Sequence, residues 1–270
     1  VKFLVDLKKI NKMEQKIQFF EEEHKYIRED GIEYKSVSGV IHDLELKKDW
    51  DAIRKKYAKK HGGTPQEWKD KWEKKAKLST EAGTALHEEL EDELLSKGTY
   101  MFNNITCNVK LTGKKSETKY SFPLIELKDN WSYPELMIYD HTYKICGQSD
   151  LVVIANETIN ILDYKTDKAI KRKAFSTDFI EPEKLLPPVS HLDNCNFNVY
   201  SLKMSLYMYM VWKQNPHLKC GKIILIHKEI ERDVDEIPVL YDGKPKVLKT
   251  TEIELPYLRK EVKEILKQCK

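Results

Sequence analysis

The stretch ICGQSDLVVIANETINILDYKTDKAI, residues 145–170, decides how the rest of the chain is read. Two runs rich in β-branched residues, Lys144–Ile154 and Thr158–Lys165, flank the polar turn Ala155-Asn156-Glu157, the pattern of an antiparallel hairpin. With Asn156 and Glu157 at its centre, symmetric pairing puts Asp150 directly opposite Asp163. Opposed side chains on one face have Cβ atoms roughly 4.5–5.5 Å apart, close enough for two carboxylates to share a cation. The two-residue period of a strand sets Asp163 and Lys165 on that face and turns Leu162 and Tyr164 the other way, into the core. Hard oxygen donors suit Mg2+ or Mn2+, and a lysine beside them suits charge developing on a phosphoryl group. An isolated Asp-x-Lys is more often a solvent-side pair on an edge strand; here the symmetry of the hairpin and Gly147 argue against that. Because opposed carboxylates repel, replacing Asp163 by asparagine is expected to leave the fold intact or slightly more stable.

With 40% apolar and 34% charged residues, the 270-residue chain has a globular composition, far from that of disordered chains. Its first twenty residues, VKFLVDLKKINKMEQKIQFF, are interrupted by charges too soon for a signal segment or a membrane span. Five cysteines without a CxxC pair argue against a disulfide framework and a zinc knuckle. A cytoplasmic protein with no membrane partner is expected. The net charge of +3 says little about partners, but Lys47 to Lys77 holds twelve Lys/Arg against five Asp/Glu. Such a segment attracts a polyanion, and it is equally the composition of a merely solvated face. Lys55, Lys56, Lys59 and Lys60 are its candidate phosphate contacts.

Residues 17–41 read as a strand, a tight turn at Asp30-Gly31 and a second strand. Residues 47–60 and 65–77 read as helices, the second opened by Thr64 as N-cap with Pro65 at the first helical position. Trp68 and Trp72, one turn apart, are expected to pack on the core rather than stack on bases. A third helix is expected over 79–96, closed by Lys97-Gly98. Met101–Leu111 and Tyr120–Leu127 are possible strands or an insertion, 192–214 a helix, 221–229 a buried strand and 255–268 an amphipathic helix. The expected fold is α/β: a central mixed β-sheet built on residues 135–165 and 221–229, flanked by helices. An N-terminal hairpin and basic helical extension, residues 1–78, precedes this core of residues 79–270.

Gly147-Gln148-Ser149-Asp150 followed by Asp163-Tyr164-Lys165-Thr166 resembles the GxxD and D-[FWY]-K-T motifs of RecB-type nucleases in the PD-(D/E)XK superfamily. Gly83-Thr84-Ala85-Leu86-His87 resembles the GTxxH helix of the same family. The resemblance covers about residues 80–230, with the motifs in the family's order. Residues 23–27 and 36–40 extend it more weakly toward phage-encoded members and the mitochondrial genome maintenance exonuclease. It implies a restriction-endonuclease-like core and Mg2+- or Mn2+-dependent hydrolysis of DNA, exonucleolytic on ends or single strands, in replication, recombination or repair alongside proteins of those processes. A structure-selective endonuclease and a non-catalytic binding module derived from a nuclease are the rival readings. Keeping two repelling carboxylates argues against the module.

Carried onto this chain, the resemblance makes Asp150, Asp163 and Lys165 catalytic, with Glu135 reaching the metal through water. It makes His87, Asp150, Asp163 and the Tyr164 backbone carbonyl the metal ligands. Read alone, a histidine on an apolar helix face is more often a core residue. Gly83, His87, Leu90 and Leu94 share a face, and the glycine is expected to permit close approach to the sheet. The family's QxxxY helix, whose polar side chains face DNA, aligns with Tyr200 to Tyr207; Tyr207 is kept and Lys203 stands where glutamine is expected. Tyr200, Lys203, Tyr207 and Thr166 are therefore candidate DNA contacts, with a lysine able to donate but not accept a hydrogen bond. Members with an iron-sulfur cluster use four cysteines whose spacing is not matched here, so no cluster is expected.

Overall fold

The computed structural model describes residues 17–20, 25–112, 114–116, 119–122, 126–177 and 181–269. The apolar start of the chain and residues 23 and 24 lie outside them. Strands β1 (Ile17–Phe20), β2 (Lys25–Arg28) and β3 (Glu33–Ser36) come first. The Asp30-Gly31 turn joins β2 to β3, with Gly31 at φ 85°. The single strand expected before it is two, since β1 and β2 pair antiparallel. Nor does β3 run on to residue 41. Val37–His42 is helix α1, because the Ser36 hydroxyl accepts the Gly39 N–H at 2.9 Å and Val37, Val40 and Ile41 bury at helical spacing.

Helix α2 (Trp50–His61) is followed by α3 (Pro65–Lys97). Thr64 and Glu67 form a reciprocal capping box at the start of α3. Gly98, at φ 64°, ends it by donating its N–H to the Leu94 carbonyl. The helices expected at 65–77 and 79–96 are one. Lys77-Leu78-Ser79-Thr80 contains no glycine or proline, and the Thr80 hydroxyl folds back on the Ala76 carbonyl. The division expected after residue 78 thus falls inside a continuous helix. Trp68 and Trp72 do not pack on the central core. They pack against Tyr57 of α2, at ring separations of 4.8 and 5.3 Å, as a small aromatic core of the α2–α3 pair.

Strands β4 (Thr99–Phe102), β5 (Ile105–Val109), β6 (Lys114–Ser116), β7 (Lys119–Phe122), β8 (Trp131–Asp140), β9 (Ile145–Ala155) and β10 (Thr158–Lys165) follow. Helix α4 (Asn196–Gln214) then crosses to β11 (Lys219–Ile230), parallel to β10. The short β12 (Leu240–Tyr241) and β13 (Lys244–Pro245) lead to β14 (Val247–Leu255), a strand the sequence reading missed, and to α5 (Arg259–Gln268). The fold is mixed α/β, a curled mixed sheet flanked by helices. Its strand order is β14-β11-β10-β9-β3-β2-β1-β7-β6, with β8 on the other edge of β9 carrying β5 and β4.

Covering on both faces explains the nearly unbroken apolar runs of β9 and β10. Leu151, Val153, Leu162 and Tyr164 pack with Leu90 and Leu94 of α3. Val152, Ile154, Ile159 and Ile161 pack with Leu202 and Leu206 of α4 and Ile265 of α5. Each such buried side chain contributes about 1.5–3 kcal/mol. The β9–β10 register runs from Ala155↔Thr158 to Leu151↔Leu162, as symmetry about Asn156 and Glu157 requires. Among the described residues no helix is long and apolar enough to cross a membrane.

Candidate metal centre

The site lies where the sheet splits. Strand β10 leaves β9 after the Leu151↔Leu162 pair, and β3 joins the same edge only at Ile145 and Cys146. Among the described residues, no strand pairs with Gly147 to Asp150 on this edge. Asp150 turns its carboxylate into this gap, where its Oδ2 accepts the Tyr164 N–H at 2.7 Å in place of a ladder bond. The β8–β9 register, with Pro134↔Leu151 and Leu136↔Ser149, sets Glu135 beside Asp150 on the opposite side from Asp163. Glu135, Asp150 and Asp163 thus come from three adjacent strands, and Glu135 feels the charges of both the others. Glu135 sits at φ 48°, a left-handed conformation costing about 1–3 kcal/mol for a non-glycine residue. The Gln148 side-chain amide supports it by donating to the Glu135 carbonyl at 3.2 Å.

His87 reaches this group from α3. Its Nδ1 lies 3.6 Å from Asp150 Oδ2 and 4.0 Å from Glu135 Oε1, and its Nε2 lies 3.3 Å from the Tyr164 carbonyl. With the proton on Nε2, directed to that carbonyl, the Nδ1 lone pair faces the two carboxylates. One donor atom from each of His87, Glu135 and Asp150 lies within 4.8 Å of the others, and this set could hold a metal ion. The two carboxylates suit a hard ion such as Mg2+ or Mn2+ and the imidazole suits Zn2+ or Fe2+ as well, so the donor set fits a divalent ion without choosing among them. Glu135, expected to act through water, belongs to the donor set itself. Asp163 is held apart by lysines, and the Tyr164 carbonyl faces His87 Nε2 and Lys165 Nζ rather than completing the set.

Neither a protein-family model nor a curated protein matches the chain.

Burial, then the charges of Asp150, Glu91 and Asp163, push the Glu135 carboxyl up to about 9. Burial would raise Asp163 as well, but the ammonium groups of Lys165 and Lys203 outweigh it and hold Asp163 below the ordinary carboxylate range. Lys165 donates to Asp163 Oδ2, and Lys203 Nζ lies 3.4 Å from Oδ1. Burial works against the charged form of Lys203, yet Asp163, Asp150 and Glu135 together raise it above an ordinary lysine.

Of the expected DNA-facing residues of α4, Tyr200 and Lys203 are half-buried and line a cleft with Ser38 and Glu45. Tyr207 is buried against the β9 backbone. Tyr200 donates its hydroxyl to Asp167 Oδ2 at 2.7 Å, with its ring centre 5.3 Å from Lys165 Nζ. Thr166 gives its carbonyl to Arg232 at 2.6 Å. Lys55, Lys56, Lys59 and Lys60 are exposed on α2. Sequence reasoning missed Glu91, Gln148, Asp167 and His227, whose Nε2 meets the Asp167 carbonyl at 2.6 Å. Only Glu91 carried a signal, its position one turn after His87. A cleft of about 380 Å³ opens beside the centre, between Lys75, Gly83 and His87 of α3 and Lys165, Lys168 and Arg232.

The two motif glycines differ. A Cβ on Gly83 would meet only Thr166 Oγ1, at 4.0 Å, an ordinary contact, so close approach to the sheet does not demand glycine there. A Cβ on Gly147 would lie 2.9 Å from both Cε1 and the hydroxyl of Tyr207. Gly147→Ala is expected to cost about 1–3 kcal/mol through overpacking, and Gly83→Ala to be neutral or slightly stabilising through helix propensity. Thermal melts of the two variants check this; equal melting temperatures would refute it.

Proposed function

We propose that the chain is a Mg2+- or Mn2+-dependent deoxyribonuclease of the RecB-type PD-(D/E)XK kind, with a restriction-endonuclease-like core, acting on DNA ends or single strands. The observation that carries this reading is the convergence of His87, Glu135 and Asp150 at the split in the sheet, with the Asp163–Lys165 pair beside it. A divalent ion held by the three donors would polarise a scissile phosphate and lower the pKa of bound water. Lys165, at the edge of the cleft, is suited to offset charge developing on a phosphate oxygen. Tyr200 beneath its ammonium, Asp167 and Arg232 hold the segment after it in position. The basic walls of the cleft, Lys75, Lys168 and Arg232, offer a track for a phosphodiester backbone.

The test is incubation with end-labelled single-stranded, double-stranded and circular DNA in Mg2+, Mn2+ or EDTA. Mononucleotide or short-oligonucleotide release from linear DNA, blocked by EDTA, is the expected result. Nicking of the circle would favour a structure-selective endonuclease, and binding without cleavage the non-catalytic module.

Two further results follow from the assignment. His87→Ala removes one donor, so divalent-ion affinity should fall about 10–100-fold, with Mn2+ restoring activity better than Mg2+ because it accepts distorted geometry more readily. An unchanged metal requirement returns His87 to the core. Reversing Lys55, Lys56, Lys59 and Lys60 to glutamate should reduce the slope of log affinity against log salt by about three units, if each meets one phosphate. Binding titrations from low to moderate salt read this directly. An unchanged slope leaves the exposed face of α2 as solvated surface and the cleft as the DNA track.

A further inference from the structure

We infer that Lys203 is a built-in counter-cation that limits this centre to a single divalent ion, an inference that rests on the metal-dependent reading above. Three carboxylates from three adjacent strands, with Asp150 on the middle one, have two places between neighbours where a cation could be shared. The place between Glu135 and Asp150 has His87 beside it and is open. The place between Asp150 and Asp163 is taken, because both oxygens of Asp163 already face ammonium groups, Oδ2 that of Lys165 and Oδ1 that of Lys203. Asp163 is almost wholly buried, so water reaches either pair only from the lysine side.

Lys203 also lines a cleft with Ser38, Glu45 and Tyr200, so what holds it at Asp163 is the ion pair itself. Its neighbours on α4, Leu202, Met204 and Leu206, are fully buried in the core. Its ammonium lies 5.7 Å from the ring centre of Tyr207, and that ring is wedged against Gly147. Charge balance points the same way. With Glu135 ionised, as a bound cation would require, three carboxylates against Lys165 and Lys203 leave the centre at −1. One divalent ion brings it to +1, which complements a phosphodiester; a second would bring it to +3 in a half-buried site. A neutral side chain at position 203 would free Oδ1 of Asp163 and remove one positive charge, opening the second place.

The experiment is titration of the metal-free full chain with Mn2+, reading free ion by electron paramagnetic resonance, for the wild type, Lys203→Gln and Lys203→Arg. One Mn2+ per chain is expected for wild type and Lys203→Arg, and two for Lys203→Gln. Two ions on the wild type, or a folded Lys203→Gln that still binds one with unchanged affinity, would overturn the inference. If Lys203→Gln is unfolded by itself, its refolding in Mn2+ with two ions bound supports the same conclusion, and failure of Mn2+ to restore the fold overturns it. A wild type that binds no Mn2+ defeats the metal-dependent reading, and this one with it.

Discussion

Lys165→Ala is expected to slow DNA cleavage by about 10²–10³-fold at saturating substrate while leaving metal binding and the fold in place. The lysine ammonium is the positive group at the edge of the cleft nearest the carboxylates, and it touches Asp163 and the Tyr164 carbonyl rather than the donor set. Its removal therefore takes away stabilisation of developing charge without taking away a metal donor. The fold survives because Lys203 still faces Asp163. Single-turnover rates in Mg2+ measure the effect, and Mn2+ binding to the same variant separates it from loss of the ion. A rate within threefold of wild type would remove Lys165 from the chemistry.

The second large effect concerns stability, where two neighbouring carboxylates should respond in opposite directions. Asp163→Asn is expected to destabilise the metal-free protein by about 1–3 kcal/mol, because it leaves two half-buried ammonium groups without their nearest anion. Glu135→Gln is expected to stabilise it by about 4–5 kcal/mol at pH 8, since a carboxyl held up to about 9 keeps its proton there, about 3.5 pH units above its ordinary value, at about 1.36 kcal/mol per unit relative to the unfolded chain. The pH dependence distinguishes them. Glu135, raised in the folded state, favours folding fully below its ordinary value near 4.5 and loses that contribution as pH rises toward 9. The advantage of glutamine at position 135 should thus be absent near pH 4 and grow through neutrality. Asp163, lowered in the folded state, contributes above its ordinary value near 3.8, and its contribution fades as the medium becomes more acid than that. Saturating Mn2+ should reverse the Glu135→Gln result, because the wild type then gains a ligand the variant lacks. Denaturant melts at pH 4, 6 and 8, with and without Mn2+, give every comparison, and a stabilised Asp163→Asn would show that the lysines do not hold that carboxylate.

This reverses the effect on stability that the sequence suggested for Asp163, and the reason marks where sequence reading stopped. Opposed aspartates across a hairpin look like a repelling pair when only the hairpin is in view. The relief comes from Lys203, forty residues away on α4, while the strain falls on Glu135, whose neighbours Asp150, Glu91 and Asp163 lie on three other elements. Charge interactions decay with distance in space, so no spacing along the chain could tell which carboxylate carries the repulsion.

What the sequence by itself determined was local. The polar turn at Asn156-Glu157 set the β9–β10 register, because pairing about a short turn has one symmetric solution. Thr64, Pro65 and Glu67 started α3 and Gly98 stopped it, because unpaired end groups of a helix are satisfied by residues within one turn. The same local logic failed at Val37–His42, where β-branched residues suggested a strand but the Ser36 cap and the buried stripe made a helix. Only the tertiary structure decided that β3 and β10 share one edge of β9 and leave a gap at Asp150, that α3 brings His87 to that gap, and that α4 brings Lys203 to Asp163. Those contacts join segments tens of residues apart, and they form because two apolar faces of one sheet had each to be covered by a helix.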